Sequence, residues 1–251
     1  MKTKKQIIEE YAQKIGLVFD SNAYLAEDCK CGNWLALRFP AYAIQNLPHM
    51  QNLKECFLEL ADITKDGNDS RSRYYNQLTE FHAVWFVSCI LKLNVVAMEH
   101  RICPIRSPNC QNDCSCDILA KTKRRHFYFE VKDLSSETLS EYEDNSISQD
   151  CVFFDPSLPS PRQHQWINRM LWKSVRKGAN YLICRIPVWS PCGVRGFGTR
   201  WLHEIFGNVQ RLGCREYALP AKSKVPAFFK GVYLIHNRRY LFLKSARNGN
   251  K

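Results

Sequence analysis

The sequence predicts an α/β fold, a mixed β-sheet flanked by helices and preceded by a mostly helical N-terminal extension. Three observations lead to it. Residues 126–132, His-Phe-Tyr-Phe-Glu-Val-Lys, are rich enough in aromatic and β-branched side chains to form a strand. Residues 74–93 read as a helix too apolar to lie on a surface. A helical period over 162–177 is followed by the apolar run 181–188, which reads as a buried strand. A chain of 251 residues is long enough to enclose a sizeable core around such elements.

The elements follow in order. Ile7, Ile8, Tyr11 and Ile15 make one apolar stripe of a helix over 3–16, and Asn52 to Leu60 has the length of another. Between them, Cys29-Lys30-Cys31-Gly32 and a mixed segment 34–44 show no clear period. Thr64 to Arg73, containing Asp66-Gly67-Asn68-Asp69-Ser70, has loop chemistry. A boundary there divides the chain into an extension, 1–66, and a main domain, 67–251. After the 74–93 helix come strands at 95–102, 117–120 and 126–132, with a basic hairpin tip at Lys121 to Arg125. An acidic, serine-rich loop covers 133–160. The 162–177 helix stops near Gly178, and further elements are a helix at 199–212 and a strand pair over 228–243 turning at His236-Asn237-Arg238. A single sheet covered by helices is the simplest way to bury these faces.

Charge is divided unevenly. Residues 1–155 hold 18 Lys and Arg against 22 Asp and Glu, a balance of −4, whereas residues 156–251 hold 18 against 2, a balance of +16. Such a one-sided field attracts polyanions, and nucleic acid is the expected partner. No apolar stretch reaches the roughly 18 residues that span a bilayer, and the charged, amphipathic start lacks a signal-peptide core. The expectation is a cytoplasmic protein without a membrane partner.

Period-2 geometry puts Tyr128, Glu130 and Lys132 on one strand face and Phe127, Phe129 and Val131 on the other. A carboxylate and an ammonium thus stand side by side on a rigid base. Asp117, at the start of the preceding apolar run, adds a second carboxylate, and Glu80 interrupts the apolar helix. Two carboxylates suit Mg²⁺ or Mn²⁺, which take oxygen ligands and leave positions for water and phosphate oxygens. Lys132 is suited to orient an attacking water and stabilise developing negative charge, and Glu80 to hold a second ion or accept a proton through water.

A helix glutamate, a strand aspartate and an acidic-X-Lys strand, here Glu80, Asp117 and Glu130-Val131-Lys132 followed by Asp133, resemble the PD-(D/E)XK nuclease superfamily. The resemblance covers residues 74–188 and departs from the pattern at Cys116, where the family has proline. It implies a restriction-endonuclease-like core, catalysis by Glu80, Asp117, Glu130 and Lys132, and a Mg²⁺- or Mn²⁺-dependent nuclease acting on DNA in preference to RNA. A homodimer would suit paired cuts in a duplex.

Cys103, Cys110, Cys114 and Cys116 fall among turn-forming residues just before Asp117. Four thiolates there suit Zn²⁺, with an iron–sulfur cluster second and free thiols as the alternative, and Cys29 with Cys31 offers further ligands. The rival reading is a non-catalytic nucleic-acid-binding protein built on that structural zinc.

Overall fold

A computed structural model of the chain describes residues 2–67, 69–101, 115–133, 161–185, 209–219, 226–236 and 239–245. They form a mixed α/β protein with six α-helices and eight strands among them. The chain divides into two compact units, Met1–Arg101 with Ser115–Val131, and Ile102–Cys114 with Lys132–Lys251. Asp66, where the sequence reading ends the extension, lies inside the first unit.

The first unit begins with four helices, α1 (Lys4–Lys14), α2 (Tyr24–Cys31), α3 (Trp34–Asn46) and α4 (Leu53–Ala61). A reciprocal cap starts α1: Gln6 N donates to Thr3 Oγ1 and Thr3 N to Gln6 Oε1. Gly32, at φ 66°, ends α2 in the left-handed conformation that a residue without Cβ adopts most easily. Thus Cys29 and Cys31 belong to a helix. The segment without clear period is also helical, carrying Pro40 inside α3.

The expected 74–93 helix starts earlier, at Ser70, and α5 (Ser70–Trp85) passes into a π turn over Phe86–Ile90. There Leu91 N donates to Phe86 O, five residues back. Phe57, Leu60, Phe81 and Phe86 are fully enclosed, and Phe39 on α3 stacks on His82 of α5 with centroids 4.1 Å apart.

The same unit carries an antiparallel meander of β1 (Asn94–Arg101), β2 (Ser115–Lys121) and β3 (His126–Asp133), whose last two residues belong to the second unit. The register of β1 on β2 shifts between Val95 and Ala97, where an irregularity inserts a residue. The outer edge of β1 is covered: Gln51 N donates to Val96 O, Met98 N to Gln51 O, and Asn52 Nδ2 to Met98 O.

The second unit contains α6 (Pro161–Arg176), β4 (Tyr181–Arg185), β5 (Gln210–Arg211), β6 (Glu216–Ala218), β7 (Gly231–His236) and β8 (Arg239–Lys244). Its strands lie in the order β4-β7-β8-β6-β5, with β4–β7 and β6–β8 parallel and β7–β8 and β5–β6 antiparallel. Leu171 and Val175 of α6 share a core with Leu182, Cys184, Val232, Leu234 and Leu243. The opposite face is aromatic, Tyr233 stacking on Phe242 at 4.5 Å with Tyr181 beside both. Residues 210 and 211, expected at the end of a helix, are strand instead, and 199–208 lie outside the described residues. No helix among the described residues is long and apolar enough to cross a membrane.

Candidate active site

The β2–β3 ladder positions the carboxylates of the sequence reading. Ile118 pairs with Phe129, Leu119 with Tyr128, Ala120 with Phe127 and Lys121 with His126. The paired register ends at Ile118–Phe129, so Asp117 and Glu130 each lie one residue beyond that pair. Asp117 is anchored further, since its Oδ2 accepts a hydrogen bond from the backbone N of Val131 at 2.6 Å. Glu130 is fully buried, between Phe129 and Val131, which are buried as well. The strand is therefore covered on both faces at this point. A carboxylate enclosed in that way requires compensating positive charge or hydrogen bonds.

Lys132 continues the alternation of β3 and is half-buried. It exerts its charge on the thiol of Cys184 in β4: burial pushes that thiol up to about 12, Lys132 pulls it down and Asp133 pushes it up. Asp133 is itself enclosed and meets Nη1 of Arg185 at 3.5 Å.

Glu80 is half-buried on α5. Its negative charge, with the stronger one of Glu99, acts on the Cys56 thiol of α4, which burial already raises. Glu99 was not singled out by the sequence. The β1–β2 pairs Met98–Ile118 and His100–Cys116 bracket it and set it opposite Asp117. Glu99 has φ 45° and is exposed. Alignment is not convergence: among the described residues no three His, Cys, Asp or Glu side chains gather closely enough to hold a metal ion.

The donor set of Asp117 and Glu130 fits Mg²⁺ or Mn²⁺, since hard divalent ions bind through one or two carboxylates and fill their remaining positions with water and phosphate. Of the cysteines proposed for zinc, Cys103, Cys110 and Cys114 lie outside the described residues. Cys116 is buried in β2 with its Sγ donating to Ile118 O at 3.4 Å. His82 is an aromatic-core residue, stacked on Phe39 and close to Trp85.

No family model, curated protein or solved structure matches this chain.

Proposed function

We propose that the protein is a divalent-metal-dependent nuclease of the PD-(D/E)XK type that hydrolyses phosphodiester bonds in DNA. The observation that carries this reading is the Asp117 carboxylate of β2 held by the Val131 amide of β3, next to the buried Glu130. The chain order α5, β1, β2, β3, α6, β4 agrees with it.

In this reading Asp117 and Glu130 hold the cation, which when bound neutralises phosphate charge and makes a water more acidic. The Val131 N–H holds Asp117 against rotation. Lys132, two residues beyond Glu130 on the same strand face, orients the attacking water and donates to the developing negative charge. Glu80 takes up a proton through water. The basic C-terminal third supplies attraction for the polyanion.

The test is incubation of the purified protein with plasmid, linear and single-stranded DNA and with RNA, in Mg²⁺, in Mn²⁺ and in EDTA. Cleavage is expected with metal and absent in EDTA, and Lys132→Ala should reduce it about 100- to 1,000-fold. Cleavage that survives both EDTA and the substitution would overturn the mechanism. Binding without cleavage of any substrate would favour the non-catalytic alternative.

A further inference from the structure

The turn joining β2 to β3 stands apart from the proposed chemistry and is unusually basic. Lys121, Thr122, Lys123, Arg124, Arg125 and His126 are consecutive and all exposed. The turn is ordered by its own backbone: Lys121 and His126 form the last ladder pair, Thr122 N donates to Arg125 O at 2.9 Å, and Arg124 N to Thr122 Oγ1 at 3.4 Å. Asn94 at the start of β1 pairs with Lys121, so exposed Lys92, two residues earlier and at φ 57°, belongs to the same end of the meander.

None of these cations enters an ion pair among the described residues. The sequence offers no local partner, as there is no Asp or Glu between Asp117 and Glu130 or between Glu80 and Glu99. Nor is the cluster a by-product of a basic background, because residues 1–155 hold 18 Lys and Arg against 22 Asp and Glu. Uncompensated like charges held together on a fixed turn repel one another, and a polyanion relieves that repulsion.

We propose that this hairpin tip is a docking point for the sugar–phosphate backbone of duplex DNA. The proposal rests on the nuclease reading for the identity of the polyanion. It adds where the duplex is gripped. Lys121 lies four residues along β2 from Asp117, a separation of roughly 14 Å at the rise of an antiparallel strand. At about 3.4 Å per base pair this corresponds to about four base pairs of duplex between the gripped phosphates and the carboxylates. The contact is to phosphate, so it sets register and affinity without reading sequence.

The experiment is fluorescence-anisotropy binding of a labelled 24-base-pair duplex in EDTA, with KCl varied from about 50 to 200 mM, the range over which phosphate contacts dominate the affinity. Wild type is compared with the triple variant Lys123→Gln, Arg124→Gln, Arg125→Gln. A control variant removes three exposed helix cations, Lys14→Gln, Lys30→Gln and Lys54→Gln. Loss of the tip cations should weaken binding on the order of 10- to 100-fold and lower the slope of log affinity against log salt by about 3, with the control close to wild type. Circular dichroism and melting should be unchanged for both, because every altered side chain is exposed.

Equal affinity and slope for wild type and tip variant would overturn the proposal. So would an equal loss in the control, or binding to phosphatidylserine vesicles that depends on the tip as strongly as duplex binding does. Cleavage is measured separately in Mg²⁺. Tip-dependent binding without cleavage supports the docking point and sinks the enzyme reading, whereas cleavage with tip-independent binding sinks the docking point alone.

Discussion

The carboxylate of Asp117 on β2 accepts the backbone N–H of Val131 on β3, with Oδ2 and N 2.6 Å apart. A side chain thereby satisfies a main-chain donor beside the buried Glu130. Structural and chemical roles of Asp117 are separable for that reason. Asp117→Asn keeps a carbonyl oxygen for the amide, so thermal unfolding should shift little while metal-dependent cleavage falls at least about 100-fold. Asp117→Ala strands the amide and should cost a further 1–3 kcal/mol or about that much in urea unfolding.

Cys184 gives a pH-dependent prediction. Burial holds its thiol at about 12, against an ordinary value of 9.0. It should therefore resist iodoacetamide at pH 8, while the exposed Cys31 and Cys214 are alkylated, as peptide mass mapping would show. Below pH 9 both folded and unfolded thiols are protonated, and the stabilising contribution is fully present. Between pH 9 and about 12 the unfolded thiol ionises first, so stability should fall as pH rises through that window. Urea midpoints should decline less steeply there for Cys184→Ala than for wild type.

Arg185 and Asp133 form a pair in which the carboxylate side chain is 0% exposed and the guanidinium side chain 27%. Removing the cation leaves the enclosed anion less compensated, so Arg185→Ala should destabilise by about 3 kcal/mol. Asp133→Asn combined with Arg185→Met should recover part of that loss in equilibrium unfolding.

Gly231 has φ 150°, and a Cβ placed there would lie 2.2 Å from the Leu243 carbonyl oxygen and 2.8 Å from Cε2 of Phe242. Backbone conformation and space both require glycine. Gly231→Ala should lower stability by more than about 3 kcal/mol or prevent soluble expression. Thermal melting of the purified variant measures the effect.

How far the sequence could be read depended on period. The strands β1 to β3, α5, α6, β4 and the β7–β8 pair all carry either alternation or a long apolar run, and each was expected within a few residues. By contrast α3 hides because Trp34–Asn46 is apolar on most sides and contains Pro40, the residue least compatible with a helix interior. Glu99 had no sequence signal at all. Its alignment with Asp117 depends on the pairing register after the shift between Val95 and Ala97, and a one-residue shift reverses which face a side chain occupies. The placement of Asp117, Glu130 and Lys132 on neighbouring strands was legible because two of them share one strand and the third precedes it by a single hairpin.

The parallel pairing of β4 with β7 also sets an order of events during folding. Tyr181 meets Gly231 fifty residues downstream, whereas the β2–β3 hairpin closes over the four residues between Lys121 and His126. Closing the longer loop costs on the order of 2 kcal/mol more in chain entropy. The β2–β3 hairpin, whose strands carry Asp117 and Glu130, can thus assemble from local contacts early, while the parallel strands wait for distant parts of the chain to meet.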